Sequence, residues 1–170
     1  MKQQLIISGL GGQGVLTLTR LLAYAAAAQG LEVISSETHG MAQRGGAVIS
    51  MVKVGPFQGP LIAAGQADVG LFLQAANLPV HGFYLKPGAS VMVNTPVPGP
   101  YRALDALGVA ACLGLPPVTA NLILLGFAAA HNGLFCQPQA LAAIIRQITP
   151  PRFVEGSLRA FQAGVEALSR

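Results

Sequence analysis

Two hydrophobic periods alternate along this chain of 170 residues and divide it into elements. Leu5-Ile6-Ile7-Ser8 is an unbroken apolar run stopped at once by Gly9, which predicts a buried strand feeding a turn. From Val15 to Gln29 the spacing becomes helical: Val15, Leu18, Leu22 and Ala25 share a stripe, and Gly30 supplies a stop. Leu31 to Ser35 reads as the next strand. This order predicts a right-handed βαβ unit with parallel strands.

Ala47–Val54, Asp68–Leu73 and Ser90–Asn94 read as three more strands, with a short helical or irregular crossing at Leu78–Phe83. Gly55-Pro56 to Gly59-Pro60 and Lys86-Pro87-Gly88 read as turns, the latter ahead of the Ser90 strand. Thr95 to Pro100 is a proline-rich loop, followed by an expected short helix near Tyr101–Leu107 and a weak strand near Val109–Leu113. The last third is helical: Thr119 to about His131, Pro138 to about Gln147, and Pro151 to near Leu168. The expected class is α/β, a single three-layer α/β/α Rossmann-like domain over residues 1–170. Its mostly parallel sheet is covered on both faces, and its C-terminal third is helical.

Composition narrows the classes. Hydrophobic residues make up 52% and charged residues 9%, against about 25% charged in a typical soluble domain. So charge-poor an exterior implies cover by partner subunits. The longest apolar runs, Leu21–Ala28 and Leu122–Ala130, are shorter than the ~20 residues that span a bilayer. No membrane association and a cytoplasmic location are expected. The net charge is +4, but the basic residues form no run or stripe, which speaks against nucleic acid. Cys112 and Cys136 are the only cysteines, too few for a zinc or iron–sulfur site of this chain's own, and both read as buried free thiols.

Candidate chemistry gathers in two glycine-rich segments. Gly9, Gly11 and Gly14, with Gly12 and Gln13 between them, give the spacing G-x-G-x-x-G between a predicted strand and a predicted helix. Such glycines permit a tight turn, and the free N–H groups of a helix start favour a phosphate. Three readings stay open: an anion cradle, a dinucleotide fingerprint with Glu37 as the ribose acid, or close strand–helix packing. The second segment, Glu37-Thr38-His39-Gly40-Met41-Ala42-Gln43-Arg44-Gly45-Gly46, puts hydroxyl, imidazole, amide and guanidinium groups among glycines. Arg44 can fork onto a phosphate or carboxylate, and Thr38 and Gln43 can donate hydrogen bonds.

Taken together, these two segments resemble the gamma-type subunit of 2-oxoacid:ferredoxin oxidoreductases. The wording from His39 to Gly46 is most similar to the indolepyruvate oxidoreductase beta subunit. Pro60-Leu61-Ile62, Gly65 to Val69, Leu85 to Gly88, Val93 to Thr95, Asn121 to Gly126 and Ala160 to Gly164 extend the resemblance over nearly the whole chain. The region from Pro100 to Val118 looks shortened against it.

The resemblance implies a subunit, not catalytic alone, of an enzyme that oxidatively decarboxylates a 2-oxoacid to an acyl-CoA and passes electrons to ferredoxin. Thiamine diphosphate, magnesium and iron–sulfur clusters would lie on partner subunits. Carried onto this sequence, Gly11, Gly12, Gln13 and Gly14 would be a phosphate cradle. Thr38, His39, Gln43 and Arg44, with Gly45 and Gly46, would face a shared cleft seating coenzyme A or substrate. The rival classes are a free-standing Rossmann-type oxidoreductase binding NAD(P) or flavin, and a purely structural interface subunit.

Overall fold

The computed structural model describes residues 1–37, 46–131 and 133–167. Its centre is a six-stranded sheet in the order β2-β3-β1-β4-β5-β6. The strands are β1 (Gln3–Leu10), β2 (Val33–Glu37), β3 (Ala47–Val54), β4 (Ala67–Phe72), β5 (Leu85–Asn94) and β6 (Arg102–Leu104). The helices are α1 (Val15–Ala28), α2 (Leu78–His81), α3 (Ala106–Cys112), α4 (Ala120–Ala130), α5 (Pro138–Ile148) and α6 (Pro151–Glu166). Single 3-10 turns lie at Ala75–Asn77, Gly82–Tyr84 and Pro117–Thr119.

β1, β4, β5 and β6 pair in parallel, whereas β3 is antiparallel to both its neighbours, β1 and β2. β1 and β2 therefore run in the same direction, as the βαβ reading requires, but they are not adjacent. β3 lies between them. Only nine residues, 38–46, separate β2 from β3. A parallel crossover needs a dozen or more residues, so this connection can only return as a hairpin.

The two outer layers are unequal. On one face, Leu5, Ile7, Val52, Val69, Leu71 and Met92 pack with buried side chains of α1, α3, α4, α5 and α6. On the other, Ile6, Ile49, Met51, Phe72 and Val93 meet Ile62, Tyr101 and the short helical crossing around Ala75, Leu78 and Tyr84. Leu61, Val80 and Phe83 are exposed on this thinner layer's segments, the kind of apolar surface that the low charge content anticipates.

Two expectations change. Tyr101–Leu107 and Val109–Leu113 exchange types: the strand comes first, at Arg102–Leu104, and the helix second, at Ala106–Cys112. Asp105 enforces that order by accepting a 2.9 Å hydrogen bond from Gly108 N–H as the cap of α3. Lys86-Pro87-Gly88 belongs to β5 instead of preceding it. The pairing jumps from Ala67↔Leu85 to Val69↔Ser90, so the turn-forming residues are absorbed as an irregularity of the strand.

Candidate functional site

The strand order reverses direction of travel at the β1–β4 boundary. From β1 the chain leaves through α1 toward β2, and from β4 it leaves through α2 toward β5 on the other side. In open α/β sheets the crevice at such a switch point, beyond the carboxyl ends of the strands, is where ligands bind. Here it is a cleft of about 160 Å³ lined by Gly12, Gln13, Leu73, Asn94, Val118 and Asn121, among others.

The first glycine segment forms one wall. Gly12 and Gly14 have φ of 94° and 82°, in the left-handed region that glycine adopts without strain. A side chain at Gly14 would collide with Asn121, while a Cβ at Gly12 would meet nothing within 4 Å. Gln13 folds back onto its own loop: its Oε1 accepts from Leu10 N–H at 2.7 Å, and its Nε2 donates to Gln74 Oε1 at 3.2 Å. Helical pairing in α1 begins with Leu18 N–H donating to Gly14 O, so the preceding N–H groups have no acceptor within the helix. Its first turn holds no acidic residue and its N-cap Gly14 offers no side chain. The helix start therefore keeps its capacity for an anion.

The two glycine segments meet. Gly11 N–H donates to Gly46 O at 3.0 Å, beside the last β1–β3 pair, Leu10↔Ala47. Gly46, the described end of the second segment, thus lies at the edge of the sheet where the first loop stands, and it is brought there by the antiparallel strand β3 and not by adjacent parallel strands. Of the site residues expected from sequence, Gly9, Gly11, Gly12, Gln13, Gly14 and Gly46 are brought together. Thr38, His39, Gln43, Arg44 and Gly45 lie outside the described residues.

Sequence reasoning assigned no site role to the side chains that fix this loop from beneath. Ser8, fully buried at the end of β1, is 2.7 Å from His81 Nδ1 through its Oγ. Asn77 Nδ2 donates both to Ser8 Oγ at 3.0 Å and to Gly9 O at 2.9 Å. Burial holds the His81 imidazole below its ordinary pKa of 6.5, favouring a neutral ring, whose Nδ1 can accept a hydrogen bond from the Ser8 hydroxyl. Asn121 Nδ2 donates to Gly14 O at 3.2 Å, and Asn94 ties Leu73 O to Ala106 N–H. The signal for these was a polar residue closing an apolar strand, as at Ser8 and Asn94.

The thiols differ from expectation. Cys136 is buried, and burial pushes its pKa up to about 12. Cys112 is exposed at the end of α3, because the segment expected as a strand is a helix whose buried face is Ala106 and Ala110. Among the described residues, no helix is long and apolar enough to cross a membrane.

Comparison with known proteins agrees with this architecture. Residues 4–167 match the family model described as pyruvate ferredoxin/flavodoxin oxidoreductase. The chain is 32% identical over 191 residues to the indolepyruvate oxidoreductase subunit IorB of Thermococcus kodakarensis, covering 96% of this chain and 94% of that protein. It is similar in structure to the gamma subunit of a keto/oxoacid ferredoxin oxidoreductase from Geobacter sulfurreducens, with a TM-score of 0.78, 28% identity and 96% of each chain covered. The fold also recurs in 2-oxoglutarate:ferredoxin oxidoreductase from Magnetococcus marinus, at a TM-score of 0.78 and 19% identity. There 98% of this chain covers 31% of the longer one. The sheet, the switch-point crevice and the family match over almost every residue lead to one conclusion: the chain belongs to the pyruvate ferredoxin/flavodoxin oxidoreductase family, as a gamma-type subunit of a 2-oxoacid:ferredoxin oxidoreductase.

Proposed function

We propose that this subunit contributes the phosphate-binding edge of a coenzyme A cleft to an enzyme that oxidatively decarboxylates a 2-oxoacid to an acyl-CoA and passes electrons to ferredoxin. The observation that carries the reading is the open start of α1 beside Gly12, joined to the second glycine segment by the Gly11–Gly46 hydrogen bond. A diphosphate fits there: the helix start offers N–H donors and no competing carboxylate. Gly12 leaves room for close approach.

At about 160 Å³ the cleft holds a phosphate group and not a whole cofactor, since complete small-molecule sites run to ~300–1,000 Å³. On this reading partner subunits and the segment carrying Thr38, His39, Gln43 and Arg44 would hold the remainder of the molecule. Coenzyme A, when bound, supplies the thiol that receives the acyl group. This chain's own residues would bind and orient it, and thiamine diphosphate, magnesium and iron–sulfur clusters would belong to the partners. The Magnetococcus marinus enzyme carries coenzyme A and succinyl-CoA, which supports the choice of cofactor. The similarity to IorB supports an aryl 2-oxoacid such as indolepyruvate.

Two variants of the assembled enzyme test the reading. Arg44→Ala should weaken coenzyme A use by ~1.5–3 kcal/mol, the worth of a charged hydrogen bond. Gly12→Asp puts a carboxylate beside the helix start, where a new Cβ meets nothing within 4 Å although the φ of 94° strains any residue but glycine, and should raise the KM for coenzyme A with subunit assembly intact. Unchanged KM and turnover in both variants would remove the cleft assignment.

A further inference from the structure

Val118 and Asn121, which wall the glycine-loop cleft, also border a second cavity. It lies between α1, the turn before α4 and the start of α6, and its volume is about 400 Å³, within the usual range for small-molecule sites. Its floor is apolar, with Leu21 and Leu122 buried. Phe153 lines it while 52% exposed, and the Arg152 guanidinium lies 4.6 Å from its ring centroid.

Arg20 from α1 and Arg152 from α6 bring two cations to this one cavity, and no carboxylate lines it. Among the described residues neither guanidinium has a carboxylate partner. Two like charges around a partly apolar hollow disfavour each other, and an anion bearing two charges offsets both. Guanidinium forks match phosphate oxygens. Thr149 and Ser157 add hydroxyls, and the ring of Phe153 can stack on a flat group. Cations and metals find no acidic ligand in this lining.

We propose that this cavity is a second binding site, for an organic diphosphate carrying a flat ring, the chemistry of a nucleoside diphosphate. Its phosphates engage Arg20 and Arg152, its ring rests on Phe153, and its sugar meets the hydroxyls. The proposal does not depend on the glycine-loop reading, because none of these contacts involves that loop.

The test is calorimetric titration of the full chain with ADP. Adenosine supplies an arm without phosphates and pyrophosphate an arm without a ring. ADP should bind saturably, and each fragment at least tenfold more weakly. Arg20→Gln and Arg152→Gln should each weaken ADP at least tenfold while leaving thermal stability unchanged, since both side chains are exposed. Absence of saturable ADP binding, or an affinity in both arginine variants equal to the parent's, overturns the site. So does loss of ADP binding in Gly12→Asp alone, which would move the phosphates to the glycine loop. Repeating the titration with saturating coenzyme A separates the two sites. Retained ADP binding supports a second site of its own, and displacement overturns it, since the cavity would then be part of the coenzyme A site.

Discussion

Replacing Gly164 by alanine should destabilise this protein although alanine is the better helix former. α4 and α6 cross at two glycines, each facing the other helix's backbone. A Cβ at Gly164 would overlap Ile123 O outright and stand 2.7 Å from Ile123 C and 2.9 Å from Phe127 N. At Gly126 it would overlap Phe161 O and approach Val165 N to 3.0 Å. Carbon atoms pack at ~3.5–4.0 Å, so the helices would have to part by roughly 1 Å. Backbone cannot rotate aside as a side chain can. Parting them opens the packing around Ile123, Phe127 and Phe161, which are at most 1% exposed.

Overpacking costs ~1–3 kcal/mol, and contacts to backbone belong at the upper end of that range. The gain in helix propensity returns up to ~1 kcal/mol. The net expectation is a loss of about 2 kcal/mol, or a fall in Tm of ~4–8 °C for a chain of this size. Circular dichroism during thermal and urea unfolding measures it. Gly156→Ala is the control within α6, where the nearest atom to a new Cβ, Leu115 Cδ2, is at an ordinary 3.7 Å. It should be neutral or stabilising. Because Gly126→Ala forces the same separation, the double variant should cost less than the sum of the singles. A Gly164→Ala protein as stable as the parent would refute the argument.

Three further outcomes follow from the site. His81 has its pKa lowered by burial, so as pH falls below 6.5 the unfolded chain takes up a proton that the folded chain refuses. Stability is complete above that pH and is lost on acidification. His81→Gln should flatten this acid-side decline in Tm, and an unaltered profile would show that the imidazole does not sense the fold. Cys112 should react with a thiol reagent in the native isolated chain, whereas Cys136, buried with a pKa near 12, should react only on unfolding; mass spectrometry of the labelled peptides decides. Asn121→Ala removes the donor to Gly14 O and should cost ~1–3 kcal/mol if that carbonyl is left unpaired, read as a lower urea midpoint.

Much of the fold is legible in the sequence wherever one period holds for a full element. Ala47–Val54, the stripe from Val15 to Gln29 and the proline-started helices at Pro138 and Pro151 match their observed bounds closely. The failures come where a local rule met a stronger one. Val109–Leu113 looked like a strand because its apolar residues are contiguous, but Asp105 caps a helix there and Ala106 and Ala110 form its inner face. Lys86-Pro87-Gly88 carries strong turn chemistry, yet sheet pairing on both sides of it wins. The antiparallel strand β3 was readable in principle from the length of the segment before it. Of the expected site residues Gly12 and Gln13 line the crevice, because glycine spacing reports backbone geometry directly. The supporting Ser8–His81–Asn77 cluster spans more than sixty positions of sequence, and no local pattern links such residues.

The position of β3 also bears on how freely the segment before it can be exchanged. Because β2 and β3 pair from Val33↔Val54 to Glu37↔Ser50, the segment joining them is clamped at both ends by a ladder that owes nothing to its own composition. Register in such a hairpin is held by the strands' buried faces. The connection is in effect a cassette. On the coenzyme A reading proposed for Thr38 to Arg44, transplanting the segment from a relative should change the KM for coenzyme A while the chassis folds as before.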